Sequence, residues 1–137
     1  MPAEVWDTSA LIVAARDERA AGALADALLA DEVAITDAIL IEYLNGARNL
    51  DEYDRFDIRL RAARVVETQT HDWLRAREVH RRLAATGAGH QRSVTLIDLV
   101  IAAVAERSGH PIVHVDGDYD RIAAITGQPV RRLPWAA

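Results

Sequence analysis

Short apolar runs alternate with helix-patterned segments along this 137-residue chain, and that alternation leaves few folds open. Val5 and Trp6 open a short strand that ends at Asp7, and Ser9 is placed to cap a helix from about Ala10. The pattern predicts an Ala/Leu-rich helix over 17–31, a strand Val33–Ile35, and a helix through 38–44 capped by Thr36 or Asp37. An exposed helix over 51–64, carrying Arg55, Arg59 and Arg61, leads to a short strand near Val65 and Val66. A long helix over 70–85, a loop over 86–93 and a helix over 96–107 stopped by Gly109 follow. Residues 111–115 read as a buried strand, 119–125 as a short helix and 130–133 as a last strand. Short strands separated by helices imply an α/β fold with a parallel sheet covered on both faces. Such sheets collect ligands at the carboxyl ends of their strands. No internal repeat or long linker divides the chain, so a single domain over 1–137 is expected.

Composition narrows the chemistry. There is no cysteine, which excludes a disulfide framework, thiolate metal ligation and a cysteine nucleophile. All 16 basic residues are arginine. Schiff-base chemistry and the phosphate-binding lysine of a P-loop are therefore excluded. The start of the chain has no basic segment ahead of an apolar one, and no run approaches the roughly 18 apolar residues of a membrane span. A cytoplasmic protein without membrane contact is expected. The net charge of −5 argues at first against nucleic acid. However, residues 1–45 hold two arginines against nine acids, whereas 46–92 hold ten against seven. An acidic chain can thus carry a basic middle, although any single arginine there can equally be a solvated face or half of an i,i+4 pair.

Four acids stand out by their company. Asp98 lies in Val94-Thr95-Leu96-Ile97-Asp98-Leu99-Val100-Ile101, a helix apolar on every face and hence buried. A buried unpaired carboxylate is costly or holds a proton; the plainer alternatives are a helix cap or an arginine partner. Glu42, among Ile39, Leu40, Ile41, Tyr43 and Leu44, raises the same problem, with a salt bridge as the plain alternative. Asp7 and Asp116 each end a strand and can each simply cap the next helix. Together, the four would converge on one sheet edge, where bare anions repel and a divalent cation relieves the conflict. With only oxygen ligands, Mg²⁺ or Mn²⁺ is the natural occupant. In Val115-Asp116-Gly117-Asp118-Tyr119-Asp120, Asp116 is the expected ligand, Asp118 an auxiliary one through water, and at least one acid a helix cap. His114, inside a buried strand, reads as a core residue rather than a catalyst, and the other histidines lack metal-like spacing. No G-x-S-x-G elbow or Gly-rich phosphate loop is present.

The motifs Asp7-Thr8-Ser9-Ala10-Leu11, Glu42-Tyr43-Leu44-Asn45-Gly46-Ala47-Arg48, Asp98-Leu99-Val100-Ile101-Ala102-Ala103 and His114-Val115-Asp116-Gly117-Asp118-Tyr119 resemble the PIN-domain ribonucleases. More narrowly, they are similar to the VapC toxins of bacterial toxin–antitoxin pairs. The resemblance runs from Val5 to about Val130. It implies a three-layer α/β/α sandwich with a small central parallel sheet, and Mg²⁺- or Mn²⁺-dependent endonucleolytic cleavage of RNA (tRNA, rRNA or mRNA). It also implies a homodimer and a cognate VapB-type antitoxin. The family's acidic quartet falls on Asp7, Glu42, Asp98 and Asp116, with Asp118 as the second acid of the last motif. Ser9 falls on the hydroxyl position after the first aspartate. Tyr119 stands where many relatives carry Phe, a change expected to be without consequence. Two other readings compete: a phospho-receiver module, which the missing lysine disfavours, and a catalytically silent PIN-like domain that binds RNA or protein.

Overall fold

Five strands of two or three residues build one parallel sheet in the computed structural model, which describes residues 3–135. Across the sheet they run β3 (Arg64–Val65), β2 (Val33–Ile35), β1 (Glu4–Trp6), β4 (Ile112–His114), β5 (Val130–Arg132). Val5 lies opposite Ala34 on one side and Ile112 on the other, so β1 is central. Its residues Val5 and Trp6 are shut off from water, as is all of β4. The edge strand β3 is exposed.

Parallel neighbours require crossover connections, here made by helices. From β1 the chain steps outward through α1 (Thr8–Ala14), α2 (Glu18–Leu29), β2, α3 (Asp37–Leu44), α4 (Leu50–Arg59) and β3. It then returns through α5 (Thr70–Ala85) and α6 (Leu96–Ser108) to β4, and through α7 (Gly117–Thr126) to β5. Right-handed crossovers in opposite directions put the two helix sets on opposite faces. Accordingly α1 packs on α2 and α3, while α5, α6 and α7 pack on one another. The chain reverses direction between β1 and β4, and that switch point is where the carboxyl ends of two strands open a crevice.

Local chemistry sets the helix ends. Asp17, Thr36, Asn49 and Thr95 each accept a backbone N–H from the first turn that follows. Gly109 ends α6 at φ 73°, a left-handed conformation that a β-carbon would strain. Every residue from Asp98 to Ala105 in α6 is buried, which makes it the core helix. Trp6, Ile35, Ile101, Ile112 and Tyr119 fill the space between sheet and helices, each fully buried aliphatic contributing about 1.5–3 kcal/mol. Among the described residues no helix is long and apolar enough to cross a membrane.

Several boundaries differ from the sequence reading, among them α7, which runs Gly117–Thr126 rather than 119–125 because Asp116 caps it. Helix α1 starts at Thr8, capped by Asp7 rather than by Ser9, because the Asp7 carboxylate accepts the Ser9 N–H. Helix α4 stops at Arg59, where Leu60 turns inward to be buried, so the segment is shorter than 51–64. The loop 86–93 contains a 3₁₀ turn, His90–Ser93.

Candidate metal centre at the switch point

The first strand ends in a carboxylate whose orientation is fixed on all sides. Asp7 is buried, and its Oδ2 accepts the Ser9 N–H at 3.0 Å and the Ser9 hydroxyl at 2.6 Å. The Ser9 oxygen in turn accepts the Val115 N–H at 3.1 Å, tying the β1–α1 corner to the end of β4. Asp7 Oδ1 accepts the Tyr119 hydroxyl at 2.7 Å.

Asp98 enters from α6. The helix is capped by Thr95, whose hydroxyl oxygen accepts the Asp98 N–H, so Asp98 is not the cap. Its side chain has no arginine partner among the described residues, although it is only 5% exposed. Its Oδ1 lies 3.1 Å from the Tyr119 hydroxyl, and single oxygens of Asp98, Asp116 and Asp118 all lie within 4.8 Å of one another. Burial pushes the Asp98 carboxyl up to about 8, and the negative charge of Asp7 pushes in the same direction. Both plain readings of Asp98 are thus absent, and what remains is a carboxylate held among carboxylates.

Asp116 caps α7 through its Oδ1, which accepts the Asp118 N–H at 2.9 Å. Capping and ligation are compatible, since a carboxylate has a second oxygen. Asp118 Oδ2 accepts the Thr95 N–H at 2.9 Å, joining α7 to the start of α6. Asp120 turns away: it is exposed and pairs with Arg132 at 3.0 Å. His114 is fully buried, and its Nδ1 accepts the Asp116 N–H at 3.1 Å, which leaves the ring proton on Nε2, 3.5 Å from Asp120 Oδ1. Burial lowers its proton affinity, so it stands as a neutral strut behind Asp116.

Glu42 differs from its expected surroundings. Its aliphatic neighbours bury it only in part: α3 leaves Ile41 and Glu42 on its exposed side. Nor does an arginine pair with it among the described residues; its Oε1 accepts the Thr8 hydroxyl at 3.3 Å. Partial burial raises its proton affinity, and the charges of Asp7 and Asp116 add to the effect, which places Glu42 in the field of the same acids, at the rim of the crevice.

The donor set suits a hard divalent cation, since all its atoms are carboxylate oxygens. One internal observation strengthens the fit. The Tyr119 hydroxyl has a single hydrogen and touches two carboxylates, so with both ionised one oxygen–oxygen contact lacks a proton. In the metal-free protein the proton that Asp98 holds fills that contact, and a cation drawing charge from both carboxylates would take its place.

The sequence matches the PIN domain over residues 5–125. The chain belongs to the PIN-domain family. Within that family its likeness is to VapC proteins. Ribonuclease VapC18 of Mycobacterium tuberculosis is 45% identical over 123 residues, covering 90% of this chain and 89% of that one. Ribonuclease VapC51 of the same organism is 39% identical over 111 residues, covering 81% and 77%. The DNA-bound VapBC crystal structure from Salmonella typhimurium superposes with a TM-score of 0.76 at 18% identity, over 96% of this chain and 98% of that one. VapBC-5 from Mycobacterium tuberculosis superposes at 0.64 with 25% identity, over 97% and 98%. The three-layer α/β/α sandwich is therefore the PIN fold.

Within this PIN fold, sequence reasoning misses two contributors. Tyr119 reads from sequence as interchangeable with Phe, yet its hydroxyl bridges Asp7 and Asp98. Thr8, which holds Glu42, can be suspected from sequence only as the hydroxyl next to Asp7. The basic middle is also thinner than its count suggests. Arg48, Arg55, Arg64 and Arg75 are ion-paired, and Arg59 donates to the Tyr43 hydroxyl. Arg61, Arg77, Arg81, Arg82 and Arg92 have no partner among the described residues.

Proposed function

We propose that this chain is a divalent-metal-dependent endoribonuclease acting as the toxin of a toxin–antitoxin pair. The observation that carries the reading is Asp98: a buried carboxylate with no arginine, set beside Asp7, Asp116 and Asp118. Asp98 and Asp116 would hold Mg²⁺ or Mn²⁺ together with Asp7, and Asp118, whose carboxylate lies within 4.8 Å of those of Asp98 and Asp116, would contribute through water. When bound, such an ion supplies water activation and charge neutralisation at a phosphodiester. Glu42, at the open rim, would orient a water or complete the shell through one. Ser9 keeps Asp7 in register with the end of β4, and His114 keeps Asp116 in place. The unpaired arginines supply phosphate contacts for RNA around an otherwise acidic pit. A VapB-type antitoxin partner is inferred from the structural neighbours, which are VapBC complexes. A homodimer is part of the same reading.

The test is cleavage of a structured RNA in Mg²⁺, Mn²⁺, Ca²⁺ and EDTA, with Asp98→Asn alongside. We expect cleavage in Mg²⁺ or Mn²⁺, little in Ca²⁺, and none in EDTA or from the variant. Equal cleavage in EDTA overturns the metal reading. RNA binding without cleavage under any of the four conditions, by both proteins, makes the chain a silent binding module.

A further inference from the structure

Tyr119 is the third residue of α7 and is fully buried, its ring packed against His114 with centroids 5.4 Å apart. Phenylalanine would fill the same space, so whatever the tyrosine adds must come from its hydroxyl. That hydroxyl lies 2.7 Å from Asp7 Oδ1 and 3.1 Å from Asp98 Oδ1, and so touches the carboxylates of β1 and α6 from a third element. A carboxylate offers about four lone-pair sites. Ser9 occupies both on Asp7 Oδ2, through its N–H and its hydroxyl, and Tyr119 occupies one on Oδ1. The place left for a cation on Asp7 is therefore on Oδ1, the atom the phenol holds. On Asp98 the phenol again touches Oδ1. One rigid hydroxyl thus indexes the two oxygens against each other, whereas a phenylalanine would leave Asp7 Oδ1 without its donor and Asp98 held only by Thr95 and Asp118.

We propose that Tyr119 is a positioning residue of the metal centre, whose hydroxyl orients Asp7 and Asp98 and so sets both the affinity of the site and its preference among divalent cations. The proposal rests on the metal-centre reading above. Tyr119 acts through the two aspartates and touches neither cation nor RNA. Groups that hydrogen-bond to ligating side chains typically change metal affinity by about 10–100-fold when removed. Mg²⁺ and Mn²⁺ demand near-octahedral geometry at short distances, whereas Ca²⁺ accepts more ligands in looser arrangements. Loosening Asp7 and Asp98 should therefore penalise Mn²⁺ more than Ca²⁺.

The experiment compares the full chain, Tyr119→Phe and Asp98→Asn by calorimetric titration with Mn²⁺ and with Ca²⁺, by the EPR line shape of bound Mn²⁺, and by thermal melts without metal. We expect Tyr119→Phe to fold, to bind Mn²⁺ about 10–100-fold more weakly, to lose less affinity for Ca²⁺, and to show an altered Mn²⁺ spectrum. Unchanged Mn²⁺ affinity, selectivity and spectrum in Tyr119→Phe overturn the proposal while leaving the metal centre intact, provided that the wild type binds Mn²⁺ and Asp98→Asn does not. A Tyr119→Phe protein that fails to fold also overturns it, since the hydroxyl would then be structural. A wild type that binds no Mn²⁺, or an Asp98→Asn variant that binds it equally well, brings down the metal-centre reading and the proposal with it.

Discussion

Asp72 and Asp98 are both carboxylates nearly closed to water, 1% and 5% exposed, yet they are held in opposite ways. Burial works against the charge of Asp72, but the Arg107 guanidinium at 2.8 Å and the Gln69 N–H outweigh it and hold the carboxyl below the usual range. Asp98 has no arginine, and burial followed by the charge of Asp7 outweighs the Thr95 side chain and carries it to about 8. The consequence for stability has a definite sign. A group whose folded-state proton affinity is raised gives the metal-free fold stability that is complete below the ordinary carboxylate range, near about pH 4, and is lost as pH rises towards about 8. Glu42, shifted in the same direction, adds to the trend. We therefore predict that melts in EDTA show the wild type losing stability from about pH 5 to about pH 8. Asp98→Asn should flatten that slope and be at least as stable as wild type at the upper end. Its thermal shift on adding Mn²⁺ should shrink, because a ligand stabilises only through its affinity for the folded site. A variant less stable than wild type in alkaline EDTA, with an undiminished Mn²⁺ shift, would show Asp98 to be structural.

At the scale of elements, α5 and α6 form an antiparallel hairpin with its two ends assigned to different tasks. Arg75–Glu106 and Arg107–Asp72 lock the end where α5 begins and α6 finishes, while the other end carries Asp98. Asp72→Asn should therefore behave as the mirror image of Asp98→Asn. Losing a charge-assisted pair while Asp72 stays buried should cost about 1–3 kcal/mol in denaturant unfolding, with the Mn²⁺ shift unchanged. A variant of wild-type stability would make the lock dispensable. The same hairpin shows what is legible in the chain alone. The α5 boundaries and the all-round apolar character of α6 follow from periodicity, and an acid inside an apolar helix is conspicuous. Asp72 is not conspicuous: it sits in Gln69-Thr70-His71-Asp72 among polar residues, and only the approach of Arg107 from 35 positions away explains its burial. Glu42 stands out in the sequence on a wrong premise, since α3 exposes the side that carries it. The Tyr119 hydroxyl is invisible to sequence reasoning because a contact joining β1, α6 and α7 exists only once the sheet has brought them together.

For the whole molecule, the proposed ribonuclease activity asks how a chain of net charge −5 would approach a polyanion. The pairing pattern sorts the arginines. Arg48, Arg55 and Arg75, spent on Asp51, Glu52, Glu78 and Glu106, contribute little outward field. Arg81, late in α5, and Arg92, in the 3₁₀ turn that leads into α6, are exposed and without partners among the described residues. Both lie at the Asp98 end of the hairpin, so a strand whose scissile phosphate reaches the acids would pass them. Arg82 is a poorer choice for a test, because in the last turn of α5 it also complements the helix dipole. The measurement is RNA binding against salt in an Asp98→Asn background, where the strand is held but not cut. Neutralising one phosphate-binding arginine should shallow the log–log slope by about 0.7 for single-stranded RNA. Arg81→Gln with Arg92→Gln should therefore weaken binding most at low salt and flatten the slope by about twice that amount. Neither substitution should move the Mn²⁺ affinity, since neither side chain touches the acids. If slope and affinity stay at their starting values, these arginines are solvated helix surface and make no phosphate contact.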